Sequence, residues 1–199
     1  FTVASITPVI VDTQSTNLIL GVTFQFDSSK TTETATSLSS KINSTLINYN
    51  TSNLAQFDGA FRHSKVTGLI DDTDTAITSN ITTVTLAHNL TPTLSTATAY
   101  TIQLNNAFYN PHSGHNSSSG GVLASTGFKV SGDTTNVQFF DDDGAGNIRR
   151  YYLVAGARQY QDSTAGTITY STGEIKISSI NIISVENVDE VASTFIRLT

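Results

Sequence analysis

The sequence predicts an α+β fold, with a β-β-α-α-β half followed by a mainly antiparallel β sandwich or barrel half. Apolar and polar side chains alternate in residues 18–27, which is the period of a strand with one buried face. In residues 33–50 apolar side chains recur at intervals of three and four, which is the period of a helix. After residue 92, short β-branched and aromatic runs are separated by turn residues. We therefore predict an α+β domain over 1–91 and a mainly-β domain over 92–199.

Two strands open the first half. Residues 3–11 are apolar and β-branched, but Pro8 restricts them to an edge strand or an irregular lead-in. The second strand covers 18–27. Its predicted buried face carries five alternating apolar side chains: Leu18, Leu20, Val22, Phe24 and Phe26.

Helical patterns follow these strands. The apolar stripe of the first helix consists of Ala35, Leu38, Ile42, Leu46 and Tyr49, and Thr31 or Thr32 is the expected N-cap. Residues 53–74 predict one or two short helices, and residues 77–90 predict a further strand. The expected inner face of that strand carries Ile77, Ile81, Val84 and Leu86. We expect the helical stripe to pack on the sheet face of Leu20, Val22 and Phe24, with Ile81 as a further candidate.

The second half contains strand patterns separated by turn signals. The predicted strands are 98–105, 122–130, 136–141, 148–156, 167–171, 174–178, 180–186 and 194–198. Between the first two lies NPHSGHNSSSGG, residues 110–121, whose composition predicts an exposed, flexible loop.

Composition argues against several classes of protein. Charged residues make up 13%, the net charge is −6 and the pI is near 4.9, so the cationic surface that nucleic-acid binding requires is missing. No run of 18 apolar residues predicts a membrane span. Without Cys, the chain has no disulfide framework and no thiolate metal site. Because it lacks Met and begins with Phe1, we expect it to be a segment of a longer protein.

The run DDDGAG, residues 141–146, is the first candidate site. A calcium loop needs oxygen ligands at alternating positions and a later bidentate Glu, and residues 148–153 are IRRYYL. Strand patterns lie on both sides of the run. We therefore predict a hairpin turn with no bound cation, in which Gly144 and Gly146 adopt positive φ.

Other reactive residue types form no convincing site. His112 and His115 are three residues apart in the Ser/Gly loop without a nearby carboxylate, so we interpret them as solvated loop residues. The cluster of Asp71, Asp72 and Asp74 is interpreted as a solvated turn after a helix. No nucleophile elbow and no phosphate-binding glycine loop occur in the sequence. We therefore predict no catalytic, cofactor-binding or metal-binding residues.

Two cations lie beside two aromatic residues in the predicted strand 148–156. Alternation along the strand places Arg149 and Tyr151 on one face and Arg150 and Tyr152 on the other. Contact with carbohydrate or nucleic acid and pairing between subunits both remain open for these residues, since Arg and Tyr are enriched at interfaces.

Longer segments resemble a known family. VQFFDDDGAGNIRRYYL, which begins at Val137, precedes GTITYSTGEIKISSINI. The segment INSTLINYNTSNLAQFDGAFRHSKVTGLIDD carries the pair Ile70-Asp71 before a strand. In this order they resemble the carboxyl-terminal part of the baseplate wedge proteins of T-even-type contractile-tailed phages, within the baseplate J-like family. The resemblance runs from about Val9 to Val185 and is weakest over 110–121.

The resemblance implies a structural virion protein that joins wedges into a ring around the tail hub. It implies contacts with further copies of itself, as a homo-oligomer, and with other wedge proteins. It implies no enzyme activity, no cofactor and no nucleic-acid, membrane or small-molecule partner. The expected location is the virion tail baseplate, after assembly in the host cytoplasm. Gly166 and Gly173 are expected to bracket a strand pair, with Tyr170 as a core anchor.

Two other classes of function remain open from the residues alone. The first is a surface-exposed β-rich binding module for a carbohydrate or a cell-surface partner, suggested by Tyr151 and Tyr152. The second is a glycoside hydrolase fragment that uses Asp141 and Asp143. We rank it last, because a retaining carboxylate pair lies about 5 Å apart in a cleft, which a hairpin tip rarely provides.

Overall fold

The computed structural model of the chain describes residues 16–56 and 59–199. These residues separate into two compact units, one formed by Ile19–Thr85 and one that contains Leu86–Thr199. The predicted strand at 3–11 lies outside the described residues. The domain boundary at residue 91 and the flexibility of the loop at 110–121 stay predictions.

The first unit combines two strands with two helices. Strand β1, Asn17–Phe26, is hydrogen-bonded to β2, Ile77–Leu90. The strands run in opposite directions, since the Thr78 hydroxyl donates to the Gln25 carbonyl and the Thr83 hydroxyl to the Gly21 carbonyl, each at 3.2 Å. Between them the chain forms three helical segments: α1, Ala35–Tyr49; a π-helical turn, Asn50–Leu54; and α2, His63–Asp71.

Helix α1 begins later than the sequence predicts. Its N-cap is Thr34, whose extended backbone precedes Ala35 and whose hydroxyl accepts from the Ser37 amide at 3.2 Å. The prediction of Thr31 or Thr32 was therefore wrong. The Thr31 hydroxyl instead accepts from the Glu33 amide at 3.1 Å, and so it stabilises the chain before the helix rather than the helix itself.

The predicted helical stripe does form the core of the first unit. Ile42 and Tyr49 are buried with Val66, Ile70 and Ile77, against which other apolar side chains pack: Leu20, Val22, Phe24, Leu46, Leu54, Phe61 and Leu69. Leu38 is also fully buried. Ala35, the first member of the predicted stripe, is exposed, but the rest of the helix face packs with the sheet face as the sequence predicts.

Ile81 corrects one part of this prediction, because its side chain is 71% exposed. The neighbouring position Asn80 faces the helix, and its side-chain amide donates to the Thr67 carbonyl at 3.0 Å and to the Asp71 carboxylate at 2.7 Å. Thr82 donates to the Asn80 side chain at 2.8 Å. Because these polar groups occupy the inner face, strand alternation sends Ile81 to the outer one.

The second unit is built almost entirely of strands. Their bounds are β3, Ala97–Gln103; β4, Phe128–Val130; β5, Asp133–Asp142; β6, Asn147–Val154; β7, Ala157–Thr169; β8, Glu174–Val185; and β9, Ile196–Leu198. Strands β4 to β8 pair consecutively and antiparallel. Strand β8 then pairs back with β4, which closes a five-stranded barrel. This confirms the α+β class with a β-rich second half, in the barrel form.

Two short pairings complete the second unit. Strand β3 pairs antiparallel with β8, from Ala97 opposite Asn181 to Gln103 opposite Glu174. Strand β9 pairs antiparallel with the end of β2, where His88 lies opposite Leu198. Fully or nearly fully buried apolar side chains fill the core: Ile102, Phe128, Phe140, Ile148, Ile168, Ile175, Ile177, Ile182, Ile196 and Leu198. Within the described residues, no helix is long and apolar enough to cross a bilayer.

Strand lengths differ from the sequence predictions at three places. Only Phe128–Val130 of the predicted strand 122–130 is regular strand, and Ala124 and Ser125 make isolated bridges. Strand β7 begins ten residues before the predicted start at 167, at Ala157. Strand β8 runs unbroken through the predicted gap at 179.

Candidate functional site

The DDDGAG run forms the turn between β5 and β6, as the sequence predicts. Asp142 lies opposite Ile148 in the strand register, and residues 143–146 make the connection. The Asp143 carboxylate accepts from the amides of Ala145 at 2.7 Å and Asn147 at 3.0 Å, and from the Asn147 side chain at 2.7 Å. Burial acts to raise the pKa of Asp143, but these hydrogen bonds outweigh it and hold the pKa below its usual value.

Asp142 is fully buried and accepts four hydrogen bonds. One carboxylate oxygen accepts from the amides of Val122 at 2.6 Å and Leu123 at 2.7 Å. The other accepts from the Gly144 amide at 3.0 Å and the Tyr170 hydroxyl at 2.6 Å. Asp142 therefore ties three segments of the second unit together through one carboxylate.

Tyr170 is the partner that the family resemblance implies as a core anchor. Its ring packs against the barrel core, and its hydroxyl accepts from the Gly146 amide at 3.3 Å while it donates to Asp142. Burial, followed by the hydrogen bond to Asp142, raises the pKa of Tyr170. The phenol thus stays protonated, as its role as a donor requires.

Asp141 points to the opposite side of β5, because successive strand residues alternate. It is only 1% exposed. Its carboxylate pairs with Arg149 Nε at 2.9 Å and Arg158 Nη1 at 3.2 Å, and it accepts from the Tyr160 hydroxyl at 2.9 Å. Two cations and a phenol therefore satisfy one buried carboxylate, which is the arrangement that a buried charge needs.

Aromatic rings surround this ion-pair network. We call the group of Phe139, Tyr151 and Tyr160 with Arg149 and Arg158 the outer-face cluster. The Phe139 and Tyr151 rings stack with centroids 5.6 Å apart, and the Tyr151 and Tyr160 centroids are 5.7 Å apart. The Arg149 guanidinium lies 4.4 Å from the Tyr160 centroid, and that of Arg158 lies 5.0 Å from the Tyr151 centroid. Arg149 and Tyr151 thus share a face, as the sequence predicts.

The Ser/Gly loop packs against the same network. Arg149 Nη2 donates to the carbonyls of Ser117 at 3.0 Å and Asp142 at 2.7 Å. A Cβ at Gly121, where φ is +66°, would overlap the Asp142 carboxyl, and one at Gly120 would overlap the Arg158 guanidinium. Close approach of the loop to these charged groups therefore requires glycine at both positions.

Two half-exposed apolar side chains lie at the β6–β7 turn. Leu153 lies opposite Arg158 and shares the face of the outer-face cluster, while Val154 lies opposite Ala157 and points to the other face. Each of these two side chains is 49% exposed, and Tyr160 is 39% exposed. The turn itself uses Ala155 and Gly156 at positive φ, which is the geometry of a tight hairpin. An exposed apolar tip therefore adjoins an ordered group of Arg and Tyr.

The other candidates from the sequence do not converge on a site. The rings of His112 and His115 are 5.1 Å apart between centroids. Across residues 16–56 and 59–199, no three His, Cys, Asp or Glu residues are grouped to hold a metal ion. Asp71 accepts from Asn80, while Asp74 pairs with Lys41 at 3.2 Å, so these acids serve separate structural bonds.

The first unit contains an open groove of about 350 Å³ between α1, the π-helical turn and α2. Its lining residues are Thr45, Asn48, Tyr49, Ser52, Asn53, Lys65 and Leu69. The Lys65 ammonium donates to the Asn53 side chain at 2.9 Å and lies 5.3 Å from the Tyr49 centroid. The Lys65 ammonium group is therefore already bound by two residues that line the groove.

Sequence reasoning found part of the barrel site and missed the rest. It located the turn and the Arg149/Tyr151 face, but it did not assign Asp142 as a buried hub. Asp142 pairs with Ile148 across five intervening residues, so Asp141 lies directly opposite Arg149, and that register was a readable signal. Arg158 and Tyr160 carried no comparable signal, because the segment around them is polar throughout.

A comparison with protein families finds a match over part of the chain. Residues 18–89 match the family described as baseplate structural protein gp6, C-terminal domain III. No curated protein matches the chain. The match over residues 18–89 supports the resemblance to baseplate wedge proteins and a structural role in the phage baseplate.

Proposed function

We propose that this chain is a baseplate wedge subunit that joins neighbouring wedges into a ring around the tail hub, because residues 18–89 match a family of baseplate structural proteins. The family match is the observation that carries the proposal. It spans the whole of the compact unit Ile19–Thr85, so a complete structural module and not an isolated motif supports the assignment.

The barrel supports a role as a scaffold for contacts. Asp141, Asp142 and Asp143 are each bound to neighbouring groups of the chain, so these acids act as internal ties. In this proposal the partners are further copies of the same protein, as a homo-oligomer, and other wedge proteins. The protein acts without catalysis and enters the virion after assembly in the host cytoplasm.

The alternative of a carbohydrate-binding module has no support from the family comparison. The pair Tyr151 and Tyr152 suggested it from the sequence. Tyr151 is buried between Phe139 and Tyr160, so the pair does not form the exposed platform that sugar stacking needs.

Co-expression with the other wedge proteins of the same phage tests the proposal. Native mass spectrometry should find the protein in complexes of fixed stoichiometry with at least one of them, and electron cryomicroscopy of tails should find it in the baseplate ring. A protein that stays alone at every concentration and is absent from purified baseplates would show that the proposal is wrong.

A further inference from the structure

Strand β1 lies at one edge of its sheet. The hydrogen-bonded order of that sheet is β1-β2-β9, so among the described residues one side of β1 pairs with β2 and the other side pairs with no strand. A strand in this position presents N–H and C=O groups to which a further strand can be added. We call the unpaired side of Asn17–Phe26 the β1 edge and consider it as an interaction surface.

The sequence of β1 lacks the features that usually protect an edge. Edge strands are commonly kept very short, or they carry charged residues or Pro, which prevent pairing with another chain. Strand β1 is ten residues long, reads NLILGVTFQF and contains neither a charged residue nor Pro. Strand β9, at the opposite edge of the same sheet, is only three residues long. The β1 edge therefore has the length and composition of a strand that pairs with another one.

The side chains of β1 leave apolar surface for a neighbouring strand to cover. Those on the helix-packed face are only half-buried: Leu18, Leu20, Val22, Phe24 and Phe26. Those on the other face are exposed and uncharged: Asn17, Ile19, Gly21, Thr23 and Gln25. A strand added at the edge would lie about 4.8 Å from β1, where its side chains pack beside those of β1 on both faces.

The alternation in β1 makes the strand complementary to a second copy of itself. Directly opposite residues of an antiparallel pair lie on the same face of the sheet. If two copies pair about a two-fold axis at Val22, Leu18 lies opposite Phe26 of the partner subunit. Leu20 then lies opposite Phe24 of the partner subunit. Apolar side chains thus meet apolar side chains on the helix-packed face, and no like charges meet on either face, as a self-complementary interface requires.

We propose that two copies of this chain pair antiparallel through their β1 edges, about a two-fold axis at Val22. The two sheets then become one continuous sheet, with the helices of both copies on the same face. That copies associate at all rests on the proposed function, whereas the surface and the register rest on the edge position, uncharged composition and alternation of β1. Because one strand pair is a small interface, the isolated dimer is weak and further contacts in a ring strengthen it.

Spin labels measure the register. The chain has no Cys, so a single substitution introduces one label per copy. With an axis at Val22, a rise of about 3.4 Å per residue and a strand spacing of about 4.8 Å, the two copies of residue 25 lie about 21 Å apart and those of residue 17 about 34 Å apart. Double electron–electron resonance on Gln25→Cys and Asn17→Cys should give distances in that order. The reverse order, or no distance between copies, would contradict the proposed pairing.

Two double substitutions test the same register through charge. Ile19, which is 37% exposed, lies opposite Gln25 of the partner subunit, and both positions lie on the exposed face. Ile19→Lys with Gln25→Glu places opposite charges across the interface twice, whereas Ile19→Lys with Gln25→Lys places like charges there. Sedimentation equilibrium should give a dimer dissociation constant at least about tenfold lower for the first variant at low salt, and high salt should narrow the difference. Circular dichroism checks that both variants fold.

The outcomes separate this inference from the wedge assignment. A chain that stays monomeric, or equal dissociation constants for the two double variants, would overturn pairing through the β1 edge. A strand of another baseplate protein, or residues 1–15 of the same chain, on that edge would overturn it too, because neither gives a distance between labelled copies. Detection of the protein in the baseplate ring would then still support the wedge assignment. A dimer with the expected register that is absent from baseplates would overturn the wedge assignment alone.

Discussion

Replacing Asp142 by alanine should unfold the barrel more readily than any other single polar substitution in the second unit. The change removes the acceptor for three backbone amides and the Tyr170 hydroxyl. Hydrogen bonds to a charged group contribute about 1.5–3 kcal/mol each. Adding these four contributions overstates the loss of stability. Alanine does not carry the cost of burying a carboxylate, and water can hydrogen-bond to the donors at the exposed edge of the turn. We expect a loss of about 3–5 kcal/mol, because several buried donors are left without an acceptor at about 1–3 kcal/mol each.

Urea unfolding monitored by circular dichroism measures this loss. With an m-value of about 2 kcal/mol/M, a loss of about 4 kcal/mol moves the midpoint by about 2 M. Hydrogen exchange measures the local loss of protection, since the amides of Val122 and Leu123 lose their hydrogen-bond acceptor. Their exchange should accelerate by about 100-fold or more, which corresponds to about 2.7 kcal/mol.

Two matched variants make the test specific. Asp142→Asn keeps one oxygen for the amides of Val122 and Leu123 but turns an NH₂ toward the Gly144 amide, so the expected loss is about 2–3 kcal/mol. Asp143→Ala, one residue along, removes only local turn bonds and should cost about 1 kcal/mol. A loss below about 1 kcal/mol for Asp142→Ala, without faster exchange, would refute the assignment of Asp142 as the hub.

Three further predictions concern the helix face, a strand contact and acid stability. Ile42→Ala should cost about 2–5 kcal/mol in urea unfolding, while Ile47→Ala, at an exposed position of the same helix, should change stability by less than about 0.5 kcal/mol. Gly166→Ala should lower the free energy of unfolding by about 1–3 kcal/mol, because a Cβ there would overlap the Lys176 carbonyl. The pKa of Asp143 is depressed in the folded protein, so the unfolded chain binds its proton more tightly and stability falls as pH drops from its ordinary value of 3.8 through the folded pKa. Thermal melts at a series of acidic pH values measure this loss, and Asp143→Asn should make the melting temperature depend less steeply on pH. An unchanged dependence on pH would contradict the role of Asp143.

Periodic apolar patterns predicted the elements that bury one face. The stripe of α1 and the alternation of β1 both pack as the spacing indicates, and the turn at Asp143 follows from its Gly and Asp residues. Element boundaries were less predictable where polar residues carry the contacts. Thr34 takes the N-cap in place of Thr31, and Asn80 takes the inner position that Ile81 was expected to hold. At the N-cap a specific hydrogen bond decides between two threonines, and at Asn80 the hydrogen bonds outweigh the higher strand propensity of Ile81.

The largest omission, the first ten residues of β7, has a different physical cause. The segment from Ala157 to Gly166 contains no apolar alternation, because its outward side chains hold Asp141 or extend the hairpin past the barrel core. Backbone pairing with β6 forms this strand, and the ion pair of Arg158 with Asp141 fixes its side chains. A strand that is stabilised by partners distant in sequence has no local pattern to detect. Arg158 and Tyr160 therefore escaped sequence analysis, because a buried carboxylate and not an apolar core holds their side chains in place.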